Sequence, residues 1–223
     1  MSKATSIMLV DEIFASIQGE STDSGRPCIF IRFFGCDVGC SFCDQPQHNY
    51  KKMRIDNILK EVRAFPSIRY VCITGGEPLN QWNLVYPLVL ELCQYGYEVS
   101  IETSGCKKIE QDLYNRSFKY VMDIKCPSSG VAHKNIFENL MVLQQKDEVK
   151  FVIGDRKDYE YMKKVLMKYP TPAKILVSPV ILEDKNTGTY KISVGNELVD
   201  WLIHDRITNI RVQIQIHKFL NVK

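Results

Sequence analysis

Three cysteines, Cys36, Cys40 and Cys43, stand in a C-x3-C-x2-C arrangement directly after an apolar run at residues 28–34. Thiolates at this spacing converge on one soft metal centre. A [4Fe–4S] cluster held by three cysteines keeps one iron without a protein ligand, and that iron is open to a small molecule. The spacing therefore favours a catalytic iron–sulfur cluster over an electron carrier that is ligated by four cysteines.

A structural zinc loop is the alternative for the same cysteines. Zinc closes its tetrahedron with a fourth Cys or His, and His48 is the nearby candidate. The chain would then be a zinc-stabilised binding or adaptor protein that performs no chemistry. The ratio of iron to zinc in an anaerobic preparation separates these two interpretations.

The composition predicts one domain, residues 1–223, because 45% of the chain is hydrophobic and 25% is charged. The net charge of +3 is too small to indicate binding to nucleic acid. No apolar run approaches the length of a membrane span, and the N-terminus lacks the apolar core of a signal peptide. We therefore expect a cytoplasmic protein without a membrane partner.

Segments of β type and of α type alternate along the chain. Strands are predicted at residues 8–18, 28–34, 69–74, 97–103, 118–125, 148–153, 174–180 and 211–216, and helices at 55–65, 81–95, 135–145, 157–169 and 195–207. This alternation predicts a mostly parallel sheet with crossover helices. Ligands bind at the C-terminal ends of such strands, and the polar and glycine-containing motifs follow strands here.

One of these motifs, Gly75-Gly76-Glu77-Pro78, follows the strand predicted at residues 69–74. Paired glycines let the backbone approach a ligand closely, and a carboxylate accepts hydrogen bonds from an ammonium group. Together with the cysteines and the aromatic Phe42 before the third of them, this motif resembles the radical S-adenosylmethionine (SAM) superfamily.

The resemblance implies an α/β fold, a partial (β/α) barrel of radical SAM type, and a [4Fe–4S] cluster whose open iron binds SAM. The reduced cluster of that superfamily splits SAM to give a 5′-deoxyadenosyl radical. The positions that the resemblance assigns to SAM are Phe42, Asp44, Gly76, Glu77, Glu102, Ser104, Asp123, Ile124, Lys125, Ser178, Pro179 and Val180.

A narrower resemblance covers nearly the whole chain. The sequence Ser16-Ile17-Gln18-Gly19-Glu20, the strand carrying Arg32, and Gln215-Ile216-His217-Lys218-Phe219-Leu220 are similar to the 7-carboxy-7-deazaguanine synthase family. Members are carbon–nitrogen lyases that convert 6-carboxy-5,6,7,8-tetrahydropterin to 7-carboxy-7-deazaguanine with loss of ammonia, towards queuosine. The resemblance implies a homodimer that receives electrons from a flavodoxin- or ferredoxin-type donor.

The same resemblance divides the chain into a substrate-recognition segment at about residues 7–27 and a cluster and SAM core at about residues 28–216. It assigns the pterin to Ile17, Gln18, Gly19, Glu20, Arg32, Thr74 and His217. The forked Arg32 guanidinium suits the carboxylate of the pterin. No catalytic side chain is implied beyond the cluster and SAM.

Two positions depart from the family pattern. Ser21 follows Glu20 where the family usually has glycine, and Gln45 stands where the family commonly uses threonine as a Mg²⁺ ligand. The side-chain carbonyl of Gln45 is an acceptable oxygen ligand for Mg²⁺. A glycyl-radical-enzyme activase is a further alternative, because Asp123-x-Lys125 suits that group, but it leaves Gln18 to Glu20 and Arg32 without a role.

Overall fold

Strands and helices alternate through most of the chain in the computed structural model, which describes residues 7–41, 43, 49–110, 117–184 and 187–223. The strands are β1 (Met8–Ile17), β2 (Pro27–Phe33), β3 (Lys51–Met53), β4 (Tyr70–Gly75), β5 (Glu98–Thr103), β6 (Lys119–Ile124), β7 (Glu148–Ile153), β8 (Lys174–Pro179), β9 (Ile181–Asp184), β10 (Thr189–Ile192) and β11 (Ile210–Val212). The helices are α1 (Ile55–Arg63), α2 (Trp82–Gln94), α3 (Asn139–Val142), α4 (Arg156–Lys168), α5 (Gly195–His204) and α6 (Ile216–Leu220).

Within these ranges, nine strands form one sheet in the order β11-β8-β7-β6-β5-β4-β2-β1-β3. Neighbouring strands from β2 to β11 are parallel. The first strand pairs antiparallel with β2 on one side and with β3 on the other. The predicted α/β class with a mostly parallel sheet is therefore confirmed.

The two faces of this sheet carry different side chains. On β2, Ile29, Ile31 and Phe33 pack into the main hydrophobic core with the helices, whereas the alternate residues Phe30 and Arg32 face the other way. The second face also receives Thr74, Glu102, Asp123 and Lys150, because the parallel strands keep these positions in phase. This face of the sheet therefore concentrates the charged and polar groups.

Several elements differ from the sequence prediction. The helix predicted at residues 135–145 is reduced to α3, because Asn135 and Asn139 use their side chains to bind loop backbone. Lys51–Met53, for which the sequence predicts neither a strand nor a helix, forms an edge strand against β1. The strand predicted at residues 211–216 ends at Val212, and α6 follows.

None of the described helices is long and apolar enough to cross a membrane.

Candidate active site

A cavity of about 250 Å³ opens at the C-terminal ends of the parallel strands. It lies over the polar face of the sheet, and β1 and the C-terminal segment complete its walls. The predicted site residues that line it are Ile17, Gln18, Gly19, Glu20, Arg32, Cys36, Cys40, Cys43, Thr74, Gly76, Glu102, Ser104, Asp123, Lys125, Val180 and His217.

Four of the described residues that were predicted for the site do not line this cavity: Glu77, Ile124, Ser178 and Pro179 are buried behind its walls. The predictions for Phe42, Asp44 and Gln45 lie outside the described residues, as does His48, the candidate fourth zinc ligand.

The loop between β2 and Cys43 is held from outside by two anchors. Lys134 Nζ donates to the backbone oxygens of Asp37, at 3.0 Å, and of Val38, at 2.6 Å. Further along, the backbone N–H of Ser41 donates to Ser129 O at 3.0 Å. The backbone that carries the three cysteines is therefore fixed by contacts that do not use their sulfur atoms.

The donor set suits an iron–sulfur cluster. All three thiols of the motif line the one cavity, and sulfur is the donor that such clusters use. Among the residues that the structure describes, no three His, Cys, Asp or Glu side chains, these cysteines included, surround a single metal ion. The thiolates that hold a [4Fe–4S] cluster each bind a different iron and do not have to meet at one ion. Burial raises the pKa of the Cys40 thiol, although Lys125 opposes this shift. Three sulfur donors beside an open cavity fit a [4Fe–4S] cluster with one ligand position left for a small molecule.

The Gly75-Gly76-Glu77 turn is attached directly to the start of the cysteine loop. Gly76 N–H donates to Phe33 O at 2.8 Å, and Glu77 N–H donates to Gly35 O at 2.9 Å. Gly75 has φ +119°, and a Cβ there would lie 2.3 Å from Phe33 O. Only glycine allows this approach, so the turn and the cysteine loop are built as one unit.

Glu77 is fully buried and does not line the cavity. Its carboxylate accepts hydrogen bonds from Thr103 Oγ1 at 2.8 Å, from Ser104 N at 2.8 Å and from the Ser104 hydroxyl. Leu79 N donates to it as well, at 3.0 Å. The side chain therefore ties the end of β4 to the end of β5 and positions Ser104 on the cavity wall.

Glu102 lies among residues that were predicted to bind the substrate. Gln18 Nε2 donates to Glu102 Oε1 at 3.2 Å, and Thr74 Oγ1 donates to Glu102 Oε2 at 2.8 Å. Gln18 in turn accepts a hydrogen bond from the backbone N–H of Glu20 at 3.1 Å. These contacts join the turn after β1 to the ends of β4 and β5 in one polar network.

Arg32 is held by an aromatic ring and a carboxylate. Its Nε lies 3.0 Å from Glu12 Oε1, an ion pair whose geometry does not make a hydrogen bond. The guanidinium carbon lies 5.5 Å from the centre of the Phe14 ring, and the side chain is 16% exposed. Lys223 also pairs with Glu12 and lies against Phe14. This end of the cavity is therefore rich in positive charge.

Lys150 lines the cavity but was not among the predicted site residues. It pairs with Glu20, and its Nζ lies 3.5 Å from Asp123 Oδ2. Burial lowers the pKa of Lys150, but the carboxylates of Glu20, Asp123 and Glu102 together raise it well above its usual value. The side chain is therefore a stable cation inside the site.

The C-terminal segment forms the last wall. Ile216 N–H donates to Gly19 O at 3.0 Å, and Gln215 Nε2 donates to Glu20 Oε1 at 2.5 Å. A Cβ at Gly19 would lie 1.8 Å from His217 Nδ1, so the imidazole packs directly on that glycine. Gln215, like Lys150, lines the cavity without having been assigned to the site from the sequence.

Three comparisons relate this chain to known proteins. The family model of the radical SAM superfamily matches residues 30–113. A 7-carboxy-7-deazaguanine synthase from Methanospirillum hungatei is 39% identical over 220 residues, which cover 96% of this chain and 86% of the relative. Another from Koribacter versatilis is 35% identical over 225 residues, and the alignment covers 96% of each chain. The crystal structure of QueE from Escherichia coli aligns over 96% of each chain with a TM-score of 0.71 and 22% identity, a likeness of fold.

Proposed function

Because the chain belongs to the 7-carboxy-7-deazaguanine synthase family, we propose that its cavity converts 6-carboxy-5,6,7,8-tetrahydropterin to 7-carboxy-7-deazaguanine with loss of ammonia. The protein is a radical SAM enzyme of queuosine biosynthesis, a carbon–nitrogen lyase that uses a [4Fe–4S] cluster and SAM. The observation that carries the proposal is one 250 Å³ cavity that receives both the three cysteines and the Gln18 to Glu20 turn.

In the cofactor half of the cavity, Cys36, Cys40 and Cys43 would hold the cluster. When bound, the cluster and SAM supply a 5′-deoxyadenosyl radical. Lys125 is the cation for the SAM carboxylate, because it lines this half of the cavity. Asp123 Oδ1 is buried and has no hydrogen-bond partner among the described residues. A buried acceptor of this kind is normally satisfied, so we assign it a donor group of the bound cofactor.

Other residues assigned to SAM form the cavity wall against which it would lie. Gly76 and Ser104 line the cavity where β4 and β5 end, and Val180 lines it beyond β8. Glu77 contributes through its hydrogen bonds to Ser104 rather than through a direct contact.

In the substrate half, Gln18 and Glu20 would read the hydrogen-bonding edge of the pterin ring, with Thr74 beside them. Their amide, carboxylate and hydroxyl groups supply both donors and acceptors. Arg32 would take the pterin carboxylate, because its planar guanidinium makes two parallel hydrogen bonds to such a group. His217 would close the pocket from the C-terminal segment.

The remaining parts of the proposal concern groups and partners that complete the enzyme. Mg²⁺ would bind with Gln45 as an oxygen ligand. A flavodoxin- or ferredoxin-type protein would deliver the electron, two copies of the chain would form a homodimer, and the enzyme would work in the cytoplasm.

An anaerobic assay with reconstituted protein, SAM, a reductant and carboxytetrahydropterin tests the reaction. We expect 7-carboxy-7-deazaguanine to form in wild type and Cys40→Ala to lose both the iron–sulfur absorbance and SAM cleavage. Cys93→Ala is the matched control, because Cys93 lies on α2 outside the cavity. A Cys40→Ala protein with a full cluster would remove Cys40 from the ligand set, and wild type that is inactive on the pterin would refute the function.

A further inference from the structure

Lys150 lies midway along β7 and is the cation that joins the two halves of the cavity. One of its partners, Glu20, belongs to the turn after β1, and the other, Asp123, lies at the end of β6 beside Lys125. The Lys150 side chain is only 14% exposed. It therefore connects the side that receives the pterin with the side that receives the cofactor.

The surrounding charges make this position demanding. Glu20 also accepts a hydrogen bond from Gln215, and Asp123 Oδ2 lies 3.1 Å from Lys125 Nζ. Removing the Lys150 charge would leave Glu20 with a neutral partner in a poorly solvated site. A poorly solvated carboxylate that has lost its cationic partner tends to turn towards water. Glu20 would then no longer present the same acceptors to a ligand.

We propose that Lys150 is a positioning residue, which holds the carboxylates of Glu20 and Asp123 in place so that each accepts hydrogen bonds from its own ligand. Glu20 faces the N–H donors of the pterin ring, and the second oxygen of Asp123 faces the cofactor. Lys150 sets the distance between those two acceptors. This inference rests on the proposed function, since it assigns a pterin to the Glu20 side of the cavity.

The same sheet contains a matched control. Lys119 on β6 is 16% exposed and lies 2.5 Å from both Asp23 Oδ2 and Glu148 Oε1. It is thus also a cation between two carboxylates, but it lies outside the cavity. Loss of either lysine removes a comparable ion-pair arrangement, and only loss of Lys150 should affect the ligands.

The experiment compares Lys150→Met with Lys119→Met in reconstituted enzyme. We expect Lys150→Met to raise KM for the pterin about tenfold, the effect of losing one charged contact. It should also increase the amount of 5′-deoxyadenosine formed per product. Lys119→Met should lower Tm by a similar amount while leaving KM and coupling unchanged. Equal kinetic effects in both variants, or unchanged KM and coupling in Lys150→Met, would overturn the inference.

A second measurement keeps the inference testable if Lys150→Met folds poorly. Lys150→Arg retains the charge and should recover part of the affinity for the pterin. In the Glu20→Gln background, the Lys150→Arg change should affect KM less than it does in wild type, because the two residues act together. If Lys150→Arg changes KM by the same factor in the Glu20→Gln background as in wild type, the proposed link between Lys150 and Glu20 is contradicted. Wild-type turnover of the pterin is measured alongside, so that failure of the reaction itself is distinguished from failure of the Lys150 assignment.

Discussion

Replacing Arg32 with lysine tests whether this residue anchors the substrate carboxylate. Lysine keeps the positive charge but lacks the planar fork that contacts a carboxylate at two points. The Arg32 side chain is 16% exposed, lies over the Phe14 ring and pairs with Glu12 through Nε. The single ammonium group of lysine can contact either Glu12 or the substrate carboxylate, whereas the guanidinium can contact both through different N–H groups.

The expected magnitude follows from that geometry. One charged hydrogen bond to the substrate is lost in a poorly solvated site, which costs about 1.5–3 kcal/mol. Because each 1.36 kcal/mol is a factor of ten, kcat/KM should fall roughly tenfold to a hundredfold. A loosely held substrate also misplaces its reacting carbon, so more SAM should be cleaved per product formed. Affinity for SAM should stay the same, since its assigned contacts lie on other strands.

The assay measures kcat/KM for the pterin, the ratio of 5′-deoxyadenosine to product, and SAM binding. Arg26→Lys is the control, because Arg26 is also an arginine stacked on a ring, that of Tyr70, and paired with Asp23, but it lies outside the cavity. Wild-type turnover and coupling in Arg32→Lys would refute the anchor. The same loss in Arg26→Lys would show that the effect is not specific to the cavity.

Three further predictions concern the cavity wall at Gly19, the response to Mg²⁺ and the pH dependence of stability. Gly19→Ala should raise KM for the pterin about tenfold, because the new methyl group displaces His217 and misplaces the substrate. Amide hydrogen exchange at residues 216–220 should also become faster. Unchanged exchange there would argue against displacement of His217. Activity should rise with Mg²⁺, and Gln45→Ala should weaken that response; an identical Mg²⁺ titration would remove Gln45 from the metal site. Although burial opposes the shift, Lys119 and Arg26 hold the pKa of Asp23 below its usual value. The ionised Asp23 therefore stabilises the fold above about pH 4, and this stabilisation is lost as the pH falls further. The free energies of unfolding of wild type and Asp23→Asn, measured with urea, should converge as the pH falls. A difference that stays constant with pH would contradict this.

Much of the fold could be predicted because the apolar periodicity of the chain is strong. The helix at residues 55–65 is an example: Ile55, Ile58, Leu59 and Val62 recur at helical spacing, and all four are buried in α1. The helix expected at residues 135–145 had similar spacing but was mostly wrong. There the asparagine side chains bind loop backbone, and such contacts depend on tertiary neighbours that no local pattern contains.

The site shows the same division. Motif spacing was enough to predict which loops meet, because parallel strands bring their C-terminal ends to one edge. It could not predict that Glu77 is buried against Ser104, or that Glu102 pairs with Gln18. Lys150 carried a usable signal, because it is a lysine within the largely apolar strand predicted at residues 148–153. Its partners follow only from the register of the strands around it.

The contact between Glu20 and Gln215 spans 195 residues of sequence, and this separation has a consequence for protein synthesis. At about 5–20 residues per second, a ribosome adds Gln215 roughly 10–40 s after it has added Glu20. The cysteine loop leaves the ribosome early in that interval, before the strands and the C-terminal segment that enclose it exist. The machinery that delivers iron and sulfide therefore meets either an unenclosed cysteine loop on a nascent chain or a completed cavity on a released one. Expression conditions that slow elongation would lengthen the time for which the cysteine loop is unenclosed and its thiols are open to oxidation.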